Sequence, residues 1–415
     1  MPKFRWETEF KETEIGKIPK DWEVRKIGDI AGINEENINK NYPYKIIEYI
    51  DINSVEEGMI LERKYIPLDS APSRARRIVR DRDILLSTVR PNLRHFAFVK
   101  KANPNTIAST GFAVIRAKKA EPRFLYYYLT TEFVTKYLTQ IAEEPASTYP
   151  AFTPDVVENL NMSYPPPEEQ TRIATVLSWF DDLIENKRKQ NEILEKISMA
   201  IFKSWFIDFE PFQDEEFVYN EELDMEIPKG WEVETLGSLV DEIMSGRGKY
   251  YMIREIQKGE SKVDSSEGLY PLWGANGILG YVSGWDLEGW IILTGRVGTL
   301  GKVFITTGRV ALSDNVFGIL PKQFENTFYV YLWLKLMVDF ESLNVGSTQP
   351  LITKKDLESL CILLPPQPIL QRFHSLVEPI FQKILLNQKQ ILTLKKIRDT
   401  LLLQLVFGRL RVEEI

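Results

Sequence analysis

Two long segments of this 415-residue chain carry apolar residues at alternating steps of three and four. In the first segment the positions are Ile173, Leu177, Phe180, Ile184, Leu194, Ile201 and Trp205, and polar residues fill the remaining steps at Lys187, Asn191 and Ser198. In the second they are Phe373, Val377, Ile380, Ile384, Ile391, Leu394, Leu401 and Leu405, interrupted by Asn387 and Arg398. A repeat of 3.5 residues sustained over about five heptads predicts a pair of coiled-coil helices. The alternative is two separate surface helices, each packed on its own domain.

The same two segments carry a second apolar stripe. Its residues are Val176, Leu183 and Ile197, with counterparts at Leu376, Leu385 and Ile397. This stripe predicts a broader interface than one helix pair needs.

The chain also repeats itself. IPKDWEV at 18–24 returns as IPKGWEV at 227–233, and Gly28 and Gly237 keep that offset of 209. Further on, the residues of 84–87 match 291–294 at an offset of 207, and Pro165-Pro166 matches Pro365-Pro366 at an offset of 200. The shrinking offset indicates a duplicated domain with a few loop deletions in the second copy.

Each copy has the same order of elements. Short β-rich runs at 82–89 and 290–294 lie in a mixed region, and helical stretches at 123–138 and 328–340 follow. Pro-Pro then precedes each long helix. The pattern predicts an α+β fold with two duplicated mixed α/β globular domains, separated by a long antiparallel two-helix coiled coil with pseudo-two-fold symmetry. The predicted parts are the first globular domain (1–165), a central helical spacer (166–210), the second globular domain (211–365) and a C-terminal helical spacer (366–415).

Antiparallel helices would hold the two globular domains at opposite ends. Some 37 residues of helix would span about 55 Å at 1.5 Å per residue. Such a spacing suits two half-sites on DNA, where one turn of the duplex is about 34 Å.

Composition excludes several kinds of site. The net charge is −7, which taken alone argues against a nucleic-acid binder, and there is one cysteine, Cys361, with two histidines. A disulfide framework and a Cys- or His-based metal site are therefore not expected. The sequence has no signal peptide and no membrane-spanning run, which predicts a cytoplasmic protein without a membrane partner.

The charge is unevenly distributed. Residues 63–101 hold eleven Lys and Arg against three Asp, a local balance of +8 that is too one-sided to be paired within the run. Arginine suits contacts with phosphate and with guanine. The predicted DNA contacts are Arg74, Arg76, Arg77, Arg90 and Arg94 in the first domain, and Arg247, Lys249, Asn276, Arg296 and Lys302 in the second. The alternative is a solvated surface held by ion pairs.

Catalytic motifs are weak. GANGILG at 274–280 lacks the GxGxxG spacing and predicts a turn, and Tyr164-Pro165-Pro166-Pro167 predicts a helix start. Asp51, Glu62 and Lys64 have a spacing compatible with a Mg²⁺-dependent nuclease, which is kept as an alternative. The remaining inventory predicts a chain with no catalytic residue, metal or cofactor of its own.

Taken together, these features resemble the specificity subunit of type I restriction–modification enzymes. The matching segments are Glu14–Trp22 with its repeat at Ile227–Trp231, Asp83–Pro91, Asn276–Tyr281, Pro165–Gln170 and the C-terminal Leu401–Leu410. One departure is the second helix start, Pro-Pro-Gln-Pro-Ile-Leu-Gln, where the glutamine is shifted by one position.

The resemblance implies a non-catalytic subunit in a prokaryotic cytoplasm. Each globular domain would read one half of a bipartite DNA target, and the helices would set the gap and dock two methyltransferase subunits. Those partners would carry S-adenosylmethionine and methylate adenine, and endonuclease/translocase subunits using ATP and Mg²⁺ would complete the complex. The alternatives are the self-sufficient nuclease and a coiled-coil scaffold without a DNA role.

Overall fold

The computed structural model describes residues 2–144, 150–246, 269–346 and 349–415. Its elements up to the end of the first long helix are β1 Lys3–Trp6, β2 Phe10–Thr13, β3 Gly16–Pro19, β4 Glu23–Lys26, α1 Ile27–Ile30, β5 Ala31–Ile33, β6 Ile46–Ile50, β7 Val55–Glu56, β8 Met59–Ile60, β9 Lys64–Pro67, β10 Ala75–Ile78, β11 Ile84–Ser87, β12 Phe96–Phe98, β13 Thr106–Ser109, β14 Phe112–Ala117, α2 Pro122–Leu129, α3 Glu132–Glu143, α4 Pro154–Glu158, β15 Asn161–Tyr164 and α5 Pro167–Phe206.

The second copy has a matching order of elements. They are β16 Phe217–Asn220, β17 Met225–Pro228, β18 Glu232–Thr235, α6 Leu236–Leu239, β19 Val240–Ser245, β20 Tyr270–Gly274, β21 Gly277–Val282, β22 Leu287–Gly295, β23 Val303–Leu312, β24 Val316–Pro321, α7 Thr327–Leu336, α8 Lys354–Glu358, β25 Cys361–Leu364, α9 Gln367–Val406 and β26 Leu410–Glu414. The structure therefore confirms the predicted duplication of mixed α/β domains, each followed by a long helix.

These elements form two compact units. The first unit comprises Met1–Leu183 with Leu394–Ile415, and the second comprises Ile184–Thr393. Each unit thus contains one globular domain together with part of each long helix. The predicted four-part division at residues 165, 210 and 365 stays a prediction.

The first unit contains two four-stranded sheets. Their strand orders are β10-β13-β6-β9, with β13 parallel to β6, and β12-β11-β14-β5, which is antiparallel throughout. Strand β11 is buried along its whole length, so the loops at its two ends are positioned by the core of the unit. Strands β7 and β8 form a short antiparallel hairpin.

The second unit contains a six-stranded sheet with the order β19-β24-β22-β23-β20-β21. Strand β20 is parallel to β23, while the other neighbours are antiparallel. The β20–β21 hairpin confirms the turn predicted for GANGILG.

A close packing contact explains why both copies keep a glycine after the repeated tryptophan. A Cβ atom on Gly28 would lie 3.2 Å from the carbonyl oxygen of Glu158, and one on Gly237 would lie 3.2 Å from that of Glu358. Each glycine belongs to a short helix, α1 or α6, which packs against α4 or α8 at this point. Any side chain here would push the two short helices apart, because the atom in its way is backbone.

The helical stretch predicted at 123–138 is wrong in one respect, because it consists of two helices. Helix α2 ends at Leu129, and the side chain of Thr131 accepts the N–H of Val134 to begin α3. The hydroxyl of Thr130 donates to the carbonyl of Tyr126. Two threonines whose hydroxyls compete for backbone groups favour a helix end over a helix interior.

Within each unit the two long helices lie side by side with opposite chain directions. In the first unit Arg398 Nη1 lies 2.7 Å from Asp181 Oδ1, and Leu177 shares a core with Leu405. In the second unit the fully buried Asn387 donates to Asn191 Oδ1 at 2.9 Å, and the rings of Phe206 and Phe373 lie 4.9 Å apart.

Every predicted spacer position is buried or half-buried, which is what a packed face requires. The heptad geometry of a coiled coil stays a prediction.

The two ends of the chain meet in the first unit. Strand β1 pairs with β26 antiparallel, and Arg411 of β26 inserts its guanidinium among acidic side chains. Arg411 Nη2 lies 2.6 Å from Glu169 Oε2 and 2.8 Å from Asp21 Oδ2, while Nη1 bonds to Glu7. Burial lowers the pKa of this guanidinium, but the bonds to Glu169, Asp21 and Glu7 outweigh it and raise the pKa overall. One arginine therefore ties both chain ends to the start of α5.

Among the described residues, no helix is both long enough and apolar enough to cross a membrane.

Candidate nucleic-acid interface

Three predicted arginines of the first domain are exposed on neighbouring segments. Arg74 and Arg76 lie at the start of β10, and Arg90 lies in the loop after β11. The turn at 109–111 joins these segments: Thr110 N–H donates to the carbonyl of Arg74, and Thr88 N–H donates to that of Gly111. We call this set of Arg74, Arg76 and Arg90 the exposed arginine surface.

Arg77 and Arg94 are held differently. Arg77 is half-buried and donates from Nη1 to Asn37 Oδ1 at 2.8 Å, and burial lowers the pKa of its guanidinium. Arg94 Nε lies 3.5 Å from Glu57 Oε1, and its guanidinium stacks 5.2 Å from the centre of the Phe96 ring. Both arginines have structural roles, and their contact with DNA stays a prediction.

Ion pairs neutralise much of the basic run, although it is too one-sided to be paired within itself. Acids from outside residues 63–101 fold onto it. The ion pairs are Arg63–Glu48, Lys64–Asp51, Arg80–Glu36, Arg82–Glu121, Arg94–Glu57 and Lys100–Asp182. Much of the positive charge of residues 63–101 is therefore neutralised within the unit.

In the second domain, three predicted contacts surround the loop after β22. Asn276 is exposed and donates to Thr299 Oγ1 at 3.0 Å, and Lys302 is exposed just before β23. Arg296 is half-buried, with Nη1 3.2 Å from the carbonyl of Asp314 and its guanidinium 5.5 Å from the Phe317 ring centre. The other two, Arg247 and Lys249, lie outside the described residues.

The loop after β11 and the loop after β22 make matching backbone hydrogen bonds. These bonds correct the offset of 207 between the two copies. Val89 bridges to Ala151, and Val297 bridges to Leu351. Thr88 N–H donates to Gly111, as Arg296 N–H donates to Asn315. The offset in β11 and β22 is therefore 208, so that 84–87 corresponds to 292–295. The runs at 84–87 and 291–294 contain similar apolar residues, but such similarity does not determine strand register. The offset read from the sequence is therefore one residue too small.

With the corrected offset, Arg90 corresponds to Gly298. Arg90 N–H donates to the carbonyl of Pro150 at 2.8 Å, and Gly298 N–H donates to that of Pro350 at 2.9 Å. Both residues have a positive φ, +47° for Arg90 and +84° for Gly298. This left-handed conformation costs a residue with a Cβ about 1–2 kcal/mol, whereas glycine adopts it freely.

The alternative nuclease set forms an ion-pair cluster. Lys64 Nζ lies 2.8 Å from Asp51 Oδ2 and 3.6 Å from Glu62 Oε2, and Asp51 Oδ1 also accepts from Ser54. Burial alone would raise the pKa of Asp51, but the bonds from Lys64 and Ser54 outweigh it and lower the pKa. Within the described ranges, no group of three or more His, Cys, Asp or Glu side chains is placed to hold a metal ion. The arrangement gives the nuclease alternative no support.

The long helices also expose apolar side chains. In the first unit these are Trp179, Leu183, Ile397 and Leu403, and in the second unit they are Ile193, Ile197, Leu376 and Leu386. We call these eight residues the helix stripe. The second apolar stripe of the sequence contains four of them, Leu183, Ile197, Leu376 and Ile397, whereas its other two members differ: Val176 is buried and Leu385 half-buried. Trp179, Ile193, Leu386 and Leu403 were missed, although apolar residues outside the 3.5-residue seam were the available signal.

Comparisons with known proteins agree with one another. The sequence model of the family described as "Type I restriction modification DNA specificity domain" matches residues 19–196 and 228–396. The chain is 40% identical to the specificity subunit of the type I restriction enzyme MjaIX from Methanocaldococcus jannaschii, over 100% of this chain and 99% of that protein. It is 24% identical to the specificity subunit of HindI from Haemophilus influenzae, over 94% and 100%.

A solved structure has the same fold. The crystal structure of the type I restriction–modification system S subunit from M. genitalium covers 93% of this chain and 96% of its own, with a TM-score of 0.51 at 20% identity. At this identity the likeness concerns the fold.

Proposed function

This chain belongs to the family of type I restriction–modification DNA specificity subunits, and from that membership we propose that its two globular domains each read one half of a bipartite DNA target. The chain is a DNA sequence-recognition subunit of a restriction–modification complex and has no catalytic role of its own. Methylation and cleavage belong to partner subunits. The long helices would determine how far apart the half-sites lie.

The observation that carries the proposal in the first domain is the exposed arginine surface. Arg74, Arg76 and Arg90 are exposed on segments joined by backbone hydrogen bonds. Exposed guanidinium groups bind phosphate oxygens and guanine edges. In the second domain, Asn276 and Lys302 are exposed polar residues near the loop after β22 that favour DNA contact.

The partners are proposed in more detail. Two methyltransferase subunits with S-adenosylmethionine would dock on the helix stripe and methylate adenine. Endonuclease/translocase subunits using ATP and Mg²⁺ would join them in a prokaryotic cytoplasm, where the target DNA lies. The helix stripe supports this assignment, because apolar side chains on consecutive helical turns are typical of a protein-binding face.

The proposal is tested by mapping modified adenines in the genome of cells that produce this chain with its methyltransferase partner. We expect one motif with two specified halves and an unspecified gap of constant length. Footprinting of the complex should show two protected segments around an uncontacted centre, and binding should weaken as salt rises. A continuous motif, or binding that is absent at every salt concentration, would contradict the proposal. Mg²⁺-dependent cleavage by the isolated chain that Asp51→Ala abolishes would favour the nuclease instead.

The double substitution Ile193→Glu and Ile197→Glu should weaken binding of the methyltransferase subunit. The two side chains lie one helical turn apart on α5, are 57% and 43% exposed, and would be buried by the docked partner. Losing that burial and placing a carboxylate there should lower the affinity at least about 10-fold for each position. Calorimetry on the purified subunits measures the effect.

The matched control is Lys196→Glu, on the same helix. Lys196 is exposed and outside the helix stripe, and its substitution changes the charge by more than either isoleucine change does. The affinity of the Lys196→Glu chain for the methyltransferase subunit should stay within about threefold of wild type. If the control weakens binding as much as the double variant, charge explains the effect and the helix stripe is not the docking face.

A further inference from the structure

The loop between β22 and β23, residues 296–302, ends in an open turn. We infer that this turn binds one phosphate of the DNA backbone beside the second half-site, through the backbone N–H groups of Gly301 and Lys302 and the ammonium group of Lys302. The inference rests on the proposed function and deepens it. It assigns this turn to positioning the DNA, and not to reading its bases.

The backbone donors of the turn are unpaired, unlike those of the rest of the loop. The N–H groups of Arg296 and Gly298 donate to carbonyls of neighbouring segments, and that of Thr299 donates within the loop. The N–H groups of Gly301 and Lys302 have no acceptor among the residues that the structure describes. Both residues are exposed, so a ligand from solution can reach their backbone.

The conformation of the turn suits an anion. Gly301 has a φ of +76°, whereas Leu300 before it lies outside the left-handed region. Such a change between consecutive residues directs successive N–H groups toward one concave side, which is an anion-binding arrangement. A Cβ atom on Gly301 would meet no atom of the described residues within 4 Å, so a phosphate can approach the backbone closely. Leu300 is 8% exposed and belongs to the core of the second unit, so its side chain anchors the turn.

The side chain of Lys302 adds a positive charge at the same turn. It has no acidic partner in the part of the chain that the structure describes. Residues 289–313 contain three basic residues, Arg296, Lys302 and Arg309, and no Asp or Glu. Arg309 pairs with Glu288 at the other end of the two strands, and the first acid beyond the stretch, Asp314, lies on the turn to which Arg296 is bonded. The charge of Lys302 is therefore available to a phosphate.

Strand pairing shows which residue of the first copy corresponds to Gly301. Phe96 of β12 and Val303 of β23 pair with corresponding residues of β11 and β22. Arg94 and Gly301 each lie two residues before these strand positions, and both have a positive φ. The second loop is therefore one residue shorter than the first, and it has a glycine where the first has an arginine.

In the first copy, groups of the protein itself occupy this turn. Arg94 N–H donates to the carbonyl of Pro91 at 2.9 Å, and its guanidinium pairs with Glu57 at 3.5 Å. The ring of the next residue, His95, donates to the carbonyl of Val55. The positions that make these internal bonds in the first copy are thus open in the second. The two domains should hold the DNA backbone differently at this point.

A phosphate fits the turn better than the edge of a base does. The backbone N–H groups and the ammonium group supply donors only, and phosphate oxygens are negatively charged acceptors. Base edges carry a mixture of donors and acceptors that needs a more varied partner. Asn276 of the β20–β21 hairpin donates to Thr299 in the same loop, so a phosphate held here would fix the DNA beside that hairpin.

The test uses the complex of this chain with its methyltransferase partner, and target duplexes in which one phosphate at a time is replaced by a neutral methylphosphonate. With the wild-type chain, a replacement beside the second half-site should lower the affinity about 10-fold or more, as expected for charged hydrogen bonds. In the double variant Gly301→Ala and Lys302→Gln, the same replacement should lower it less than about twofold. The added Cβ obstructs the turn, and the glutamine removes the charge.

The same variants should weaken binding without changing the sequence that is read. Lys302→Gln should lower the affinity for target and for unrelated DNA by the same factor. It should also reduce the slope of log affinity against log salt concentration by about 1, the loss of one phosphate contact. The map of modified adenines should keep both half-sites and the gap.

Two matched controls separate the turn from general effects. Gly308 also lies exposed on this strand pair, with a φ of +99° and no described atom within 4 Å of a Cβ. Lys355 is exposed on α8 of the same unit. Gly308→Ala and Lys355→Gln should keep the affinity within about twofold of wild type and leave the methylphosphonate profile unchanged. Thermal melting of each purified chain should show that Gly301→Ala lowers the melting temperature no more than Gly308→Ala does.

Several results would overturn the inference. These are an unchanged methylphosphonate profile in the double variant, relaxed discrimination at a base of the second half-site, or an equal loss of affinity in either control. Competition by inorganic phosphate that the double variant abolishes, with normal binding of every methylphosphonate duplex by the wild-type chain, would show that the turn binds a free anion instead. A wild-type complex without a bipartite motif would contradict the proposed function itself.

Discussion

Lengthening both long helices by one heptad should change the DNA target without changing either half-site. Seven residues inserted after Lys189 of α5 and seven after Lys389 of α9 add about 10 Å to each helix, which corresponds to about 3 base pairs. The mapped motif should keep both half-sites, and the unspecified gap between them should lengthen by about 3 base pairs. Affinity for the original target should fall to the level of unrelated DNA, roughly 1,000-fold or more.

The insertion sites are chosen from the helix pairing in the second unit. Asn191 bonds to Asn387, and Phe206 packs on Phe373. In an antiparallel helix pair, two residues face each other when their residue numbers add up to nearly the same total. Lys189 and Lys389 are both exposed and satisfy that relation. Repeats of 183–189 and 383–389 would therefore extend the seam in register on both helices.

A matched insertion separates helix length from chain length. Seven glycine and serine residues between Glu221 and Glu222, in the turn of the β16–β17 hairpin, should leave the motif unchanged. If the helix insertions alter the bases of a half-site and keep the gap, sequence reading does not reside in the globular domains. An unaltered gap would show that the helices do not set it.

Arg411→Ala should strongly destabilise the first unit. The arginine is 11% exposed, and Glu169 and Glu7 beside it are 3% and 5% exposed. Removing one member of a buried ion network leaves charges without a partner and costs about 3–5 kcal/mol. Hydrogen exchange should accelerate in β1 and β26, and a new unfolding transition should appear at lower urea.

Arg5→Ala is the matched control on the neighbouring strand. Arg5 also pairs with acids, with Glu413 at 2.9 Å and with Glu7 at 3.6 Å, but its side chain is 48% exposed. Its loss should cost less than about 1 kcal/mol. Equal effects of the two substitutions would show that burial of the Arg411 network contributes nothing to stability.

The same network predicts how stability depends on pH. Burial opposes ionisation of Glu7, but bonds from the backbone N–H groups of Glu9 and Thr8 and from Arg411 lower its pKa below the ordinary 4.5. The bond from Arg411 lowers the pKa of Asp21 below 3.8. Both carboxylates are charged in the folded chain above these values, so their stabilisation is present above about pH 5 and is lost as pH falls below 4. In Arg411→Ala this acid dependence should be reduced.

Sequence periodicity was sufficient for the helices and the duplication. The seam from Ile173 to Trp205 repeats for about five heptads, and burial of every position follows from that repeat alone. The register between the sheets of the two copies was not predictable to the residue. The runs at 84–87 and 291–294 contain similar apolar residues, although 84–87 corresponds to 292–295 in the structure. Only the hydrogen bonds of Thr88 and Arg296 reveal the offset of 208.

The candidate interface was predictable only in part, since pairing of charges depends on tertiary structure. Glu36, Glu121 and Asp182 lie outside the basic run in sequence and still neutralise arginines or lysines within it. Composition therefore overstated the positive field of the first domain. The strain at Arg90 was equally hidden, because backbone conformation at one loop position leaves no mark in the sequence until the two copies are aligned correctly.

The discontinuity of the first unit has a consequence for biosynthesis. The second unit is one unbroken stretch, Ile184–Thr393, and can fold as soon as that stretch has left the ribosome. The first unit includes Leu394–Ile415, so its N-terminal part must wait through translation of the rest of the chain for β26 and Arg411. Domains usually fold from the N-terminus onward during synthesis. Here the unit that is begun first is completed only after the second unit has been made.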